Sequence, residues 1–328
     1  MKNLLKNQII IDGLEYCNWN RELLENLWKG GITAVHVTLV YWENTEESFK
    51  KIFEIEKLIE NNQDIVCHAK TTEDILNAKQ DKKVAFIFGF QNSAPIVNNI
   101  FLLEKFFNKG LRFMQLTYNN QTPLAGGCFE PKDSGVSRFG KEVIEEMNRL
   151  GMIIDLSHAG KISCLDAIEF SSKPVAISHA NPSFFHKSLR NIDNDVLKKL
   201  VNKNGFIGLS LYPYHLKNLG NCKIDEFCQM IKELINLIGS DNIGIGSDLC
   251  LNWPDEVVMW MRNGNWTKKT DYGESQDKNI KWPRQPEWYK KPSDINNLFI
   301  AMCENGINEK NATKIMGMNW FNFMKIHF

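Results

Sequence analysis

The chain has 328 residues, 39 basic and 39 acidic, and therefore no net charge; 43% of it is hydrophobic and 24% charged. That balance excludes a broad nucleic-acid or membrane-surface footprint, and no stretch approaches the ~20 apolar residues that a membrane helix needs. The opening "MKNLLKNQIIIDG" lacks the apolar core and cleavage site of a secretory leader, and eight scattered cysteines without a CxxC pair read as reduced thiols, so a cytoplasmic protein is expected.

The first apolar run, IIIDG (9–13), ends at Asp12-Gly13, and 20–29 has helical spacing. ITAVHVTLV (32–40) is a second strand, followed by helices over 45–61 and 71–80. VAFIFGF (84–90) precedes a helix over 99–109. RFMQLTY (112–118) precedes one over 138–150, which Ser137 caps and Gly151 stops. MIIDLSH (152–158), PVAISH (174–179) and FIGLSLY (206–212) alternate with helices over 161–171, 192–204 and 223–238, with Asp193 and Gly205 bounding the middle one. NIGIGSD (242–248) is the eighth run, and helices over 293–305 and 308–327 follow.

Eight nearly continuous apolar runs alternating with helices predict one (β/α)8 barrel domain over 1–328, because parallel strands are covered on both faces. A doubly wound open sheet is the alternative, but no glycine-rich phosphate turn follows the first run. One segment departs from the alternation. Residues 252–291 hold Trp253, Trp260, Trp266, Trp282 and Trp288, directly after the eighth strand. It reads as a packed excursion, a dimer surface or an aromatic-walled lid.

In such a barrel chemistry belongs to the C-terminal strand ends. Those ends carry Leu14 and Tyr16, then His36 and Thr38, Gln91, Tyr118, His158, His179, Tyr212 and Asp248. His158 and His179 on successive strands can converge on one ion, with Asp248 as the companion carboxylate.

Four blocks, "FGKEVIEEMNRLGMIIDLSHAG" (139–160), "PVAISHANP" (174–182), "SLRNIDNDVLKKL" (188–200) and "IGIGSD" (243–248), resemble the membrane (renal) dipeptidase family of the amidohydrolase superfamily. The resemblance runs from Asp12 to the C-terminal helices. It implies a (β/α)8 barrel with a binuclear zinc site that cleaves dipeptides and related small amides. It also implies roles. His158 and His179 match two ligands of one zinc, Asp248 the aspartate that handles the proton of the attacking water, and Arg190 the arginine that holds the substrate carboxylate. A guanidinium fork suits a carboxylate. The family's frequent dimers make a homodimer an option.

The chain departs from that pattern at four positions. Leu14 and Tyr16 stand where the family's first strand has His-x-Asp, Gln91 where it has a bridging glutamate, and Tyr118 where it has a histidine. Two cations about 3.5–4 Å apart need several anionic ligands, so no binuclear site is expected. What remains is at most one zinc on His158 and His179, completed by Gln91 or water, or a metal-free site. His36 and His68 are the candidates for compensation, while Tyr16, Gln91 and Arg190 are assigned to substrate and Tyr118 to acid–base work beside Asp248. The leading expectation is a dipeptidase-like hydrolase acting on a small carboxylate-bearing amide. A lyase, isomerase or other hydrolase on a small carboxylate comes next, and a non-catalytic binding protein third.

Overall fold

Strands covered on both faces must be apolar throughout, and the second and fourth strands are buried at every position. The computed structural model describes residues 7–264 and 280–328. Its strands are β1 (Ile11–Glu15), β2 (Ala34–Val40), β3 (Val66–His68), β4 (Val84–Phe90), β5 (Leu111–Gln115), β6 (Ile153–Asp155), β7 (Ala176–Ala180), β8 (Phe206–Leu209) and β9 (Ile243–Ile245). Eight of them run β2-β1-β9-β8-β7-β6-β5-β4, and β4 pairs back onto β2 to close a parallel barrel. The predicted (β/α)8 fold is therefore the observed one.

The ninth strand, β3, was not visible in the sequence. Three residues are too few to show a period. It pairs with the start of β4, Val66 opposite Val84 and His68 opposite Phe86, below the point where β5 takes over at Phe88.

Helices over Arg21–Gly30, Thr45–Glu60, Thr72–Gln80, Arg138–Leu150, Lys161–Phe170 and Ile224–Ile238 fall within about one residue of the expected spans. Ser137 caps its helix by accepting from the Gly140 amide at 2.9 Å, and Gly151 ends it at φ 83°. Asp193 does not cap as expected. Its carboxylate instead accepts from Lys161 and Ser183.

Barrel closure divides the core into two layers. Val35, Val37, Phe86, Phe88 and Phe90 face the helices. Ile11, Ala34, Ile87, Phe113, Ile153 and Phe206 fill the interior, sealed below by Trp320 of the helix Asn319–Met324. A Cβ on Gly13, Gly208 or Gly244 would meet the Trp320 indole at 2.5, 3.0 and 2.6 Å. Three strands thus lack side chains where this ring sits, and its Nε1 donates to the Ile245 carbonyl at 2.8 Å.

The top of the barrel is aromatic. Tyr16, Tyr41, Trp42, Tyr118 and Tyr212 form one buried cluster with Trp253, Trp260 and Trp282 packed against it. Trp253, Trp260 and Trp282 come from the tryptophan-rich segment, whose helix Asp255–Asn263 lies over the mouth. Trp266 lies outside the described residues.

Candidate active site

Both histidines follow a serine at the end of a short strand, in "DLSH" and "AISH". Ser157 and Ser178 hydroxyls donate to Asp155, which accepts five hydrogen bonds in all, two from backbone amides and one from Gln115. Because the Ser178 hydrogen goes to Asp155, its oxygen accepts from His179 Nδ1 at 2.8 Å. The Nε2 of His179 is then a bare lone pair.

His158 is oriented the same way by a different partner. Its Nδ1 donates to the Asn119 side-chain oxygen at 2.5 Å. Its Nε2 faces His179 Nε2 at 3.0 Å and Gln91 Oε1 at 3.2 Å. Gln91 turns that oxygen inward because its Nε2 donates to the Thr38 and Tyr41 hydroxyls at 2.8 and 2.9 Å. Three lone pairs therefore meet at one point. A cation, or a shared proton, is what such a cluster requires.

The electrostatics favour ligand over proton. Burial, followed by the Arg190 cation, holds both imidazoles well below their ordinary value. His215 adds to this from the β8 side, anchored by Ser210 at 2.7 Å. Neutral imidazoles keep their lone pairs available.

His158, Gln91 and Asn119 line a cavity of about 40 Å³, walled further by Tyr41, Tyr118, Tyr212, Asp248, Met261 and Arg262 among others. That is room for a few water molecules. Asp248 is buried and takes φ 55°, with its amide on the Leu14 carbonyl at 2.9 Å. Tyr118 lies over His158 at a ring distance of 4.2 Å and edge-on to Tyr41 at 4.8 Å.

Five of the expected residues thus come together: Gln91, Tyr118, His158, His179 and Asp248. Four do not. Tyr16 stacks on Trp253 at 4.8 Å and lines a separate cavity with Trp19 and Glu43. Arg190 is buried behind the pair, and its Nη2 donates to the His179 carbonyl at 3.2 Å. His36 lies deeper, with Nδ1 on the Gly13 carbonyl at 2.7 Å and its ring on Phe113. His68 stacks on Phe88 at 3.7 Å, on the short strand β3. His36 is separated from the site by depth in the barrel and His68 by its place on β3, outside the closed ring, so neither is positioned to replace a lost ligand. Sequence reading missed Asn119, Tyr41, Asp155, Ser178 and Arg262. The repeated Ser-His dipeptide was the one signal that could have found Ser178.

The fit to metal follows from this donor set. Two nitrogens and an amide oxygen suit one cation. They do not suit two, since Leu14 is apolar and fully buried, Tyr16 is turned away and Gln91 brings no charge. Among the described residues no group of three or more His, Cys, Asp or Glu is placed to hold a metal.

The fold and the site define a class, a (β/α)8 barrel with its polar residues at the C-terminal mouth, the architecture of the amidohydrolases. A structure described as an amidohydrolase from Pseudomonas aeruginosa superposes with a TM-score of 0.94 at 32% identity, covering 99% of this chain and 98% of that one. The family model for membrane dipeptidase (peptidase family M19) matches residues 18–255. The chain belongs to that family. Dipeptidase tcpJ of Claviceps purpurea is 26% identical over 283 residues, which is 85% of this chain and 60% of that protein. The chain thus spans about three fifths of that curated relative. A metallo peptidase from Rhodobacter sphaeroides, solved with a phosphinate mimic of the dipeptide L-Ala-D-Ala, shares the fold at a TM-score of 0.80 and 16% identity, covering 98% of this chain and 100% of that one.

Proposed function

We propose that this chain is a dipeptidase-like hydrolase of small carboxylate-bearing amides, working with one cation rather than two. The observation that carries this reading is the meeting of His158 Nε2, His179 Nε2 and Gln91 Oε1, of which His158 and Gln91 line a cavity with Asp248. Membership of the membrane dipeptidase family supports a dipeptide-like substrate class.

His158, His179 and Gln91 would hold the ion, zinc by the chemistry of its ligands. A bound zinc supplies Lewis acidity toward the scissile carbonyl and its attacking water. Asp248 takes the proton of that water and returns it to the departing amine. Tyr118 offers a phenolic hydrogen bond beside His158, and the aromatic cover keeps bulk water out.

Metal content per chain tests this, on protein purified without chelator and then challenged with zinc. About one ion per chain is expected, and none in His158→Asn, where asparagine accepts the φ of 69° at that position. Protein that takes up no metal sinks the metallohydrolase. It would favour the second reading, metal-independent acid–base chemistry on a small carboxylate. That reading has its own support in the four tyrosines of the cavity, Tyr41, Tyr118, Tyr212 and Tyr214.

A further inference from the structure

Tyr16 turns away from the imidazole pair into a second cavity, of about 190 Å³, which it lines with Trp19, Trp253 and Glu43. A cavity of roughly 150 Å³ holds one benzene, so there is room here for a small organic molecule. The walls are largely aromatic. Tyr16 stacks on Trp253 at 4.8 Å with 18° between the rings, and Trp19 is braced by Phe86 at 4.9 Å. Lys51, Glu54, Ile55 and Leu58 recur at helical spacing, so one face of the helix Thr45–Glu60 forms the opposite wall.

One acid stands among these rings. Glu43 is partly buried, and burial raises its carboxyl above the ordinary value. Its carboxylate is held in place, because Oε2 accepts from the Tyr41 and Trp42 amides at 2.7 and 3.1 Å. Its charge reaches the Tyr16 phenol, which burial first and then Glu43 push upward. Among the described residues Glu43 has no ion-pair partner. Lys51, the cation that acts on it, pairs instead with Glu54 at 3.4 Å, and both of those side chains are about half-exposed at the rim. A carboxylate withdrawn from water needs a cation, and the faces of tyrosine and tryptophan attract one electrostatically. Acid and rings therefore ask for the same ligand.

We propose that this second cavity binds a small alkylammonium cation, with the aromatic wall of Tyr16, Trp19 and Trp253 around its methyl groups and the Glu43 carboxylate as its counter-ion. The other cavity also sets an acid, Asp248, among tyrosines, but at about 40 Å³ it is too small for such a cation. The inference stands apart from the hydrolase reading and does not depend on a metal.

Calorimetric titration with choline, and with neohexyl alcohol, the uncharged molecule that has carbon in place of nitrogen, tests this without requiring turnover. Wild-type protein is expected to bind choline about 10-fold or more tighter than the alcohol. Glu43→Gln keeps an oxygen for the two amides and should lose most of that preference. Trp253→Leu should weaken choline binding about 3–10-fold. Asp248→Asn, in the other cavity, should bind choline as wild type does. Thermal melts establish that each variant folds. No saturable binding of choline to wild type, equal affinity for choline and the alcohol, a preference intact in Glu43→Gln, choline affinity unchanged in Trp253→Leu, or choline binding lost in Asp248→Asn would each overturn the inference.

Discussion

Asn119, His158 and Asp248 all take left-handed backbone, at φ 62°, 69° and 55°. For histidine and aspartate that costs about 1–2 kcal/mol each, and such strain persists only where the surroundings over-determine it. Here the Asp248 amide is tied to Leu14, and the His158 carbonyl accepts from the Cys128 amide at 2.8 Å. The strain aims two side chains at one cavity. Asp248→Asn keeps a residue that tolerates this conformation and removes only the charge. It should melt within a few degrees of wild type while amide hydrolysis falls about 10²–10⁴-fold, measured as kcat/KM on a dipeptide. Asn119→Ala frees the His158 Nδ1 proton and with it the tautomer. Metal affinity should fall roughly 10–100-fold with an unchanged circular dichroism spectrum, and an unchanged affinity would show that His158 is held by something else.

At the scale of elements, the barrel is sealed at one end by a ring and covered at the other by a helix. Trp320 fills a socket that Gly13, Gly208 and Gly244 leave open. Trp320→Ala should cost about 3–5 kcal/mol, read from urea unfolding, because a rigid barrel cannot collapse into the space. A loss under 1 kcal/mol would mean that Phe206 and Phe323, which pack on the ring at 4.1 and 5.9 Å, refill it. At the other end the helix Asp255–Asn263 is seated by Trp42, whose Nε1 donates to the Met261 carbonyl at 3.0 Å, and by Trp282, whose Nε1 donates to the Pro254 carbonyl at 3.1 Å.

Across the whole molecule, acid is the destabilising direction. Five of the seven histidines are held neutral mainly by burial: His36, His68 and His327 are pushed down to about 4, and His158 and His179 lie well below their ordinary value. A depressed folded-state value means the unfolded chain takes up protons first. The contribution of these groups is therefore complete above the unfolded value near 6.5 and is lost as pH falls below it. Asp12, Glu15 and Glu43 act in the opposite sense, since burial raises all three and each contributes most when protonated. Five imidazoles outnumber three acids, so the urea midpoint should be clearly lower at pH 5 than at pH 7.5. A midpoint that rises on acidification would show that the three buried carboxyls govern the balance.

Local pattern was enough for the barrel. Runs such as VAFIFGF are apolar on both faces because parallel strands are covered on both faces, and that demand is written residue by residue. It also placed His158, His179 and Asp248 at strand ends, because each ends such a run. What local pattern does not carry is distance between strands. Whether Gln91 turns an oxygen or a nitrogen toward the histidines depends on Thr38 and Tyr41, which belong to another strand. His36 and His68 look equivalent to the other histidines along the chain; depth in the closed barrel removes the first, and a place on β3 outside the ring removes the second. The sequence by itself determined the alternation of elements and the residue types at the mouth. Closure of the barrel and seating of the 255–263 helix alone decided which side chains meet, because convergence depends on register and depth, which no neighbouring residue encodes.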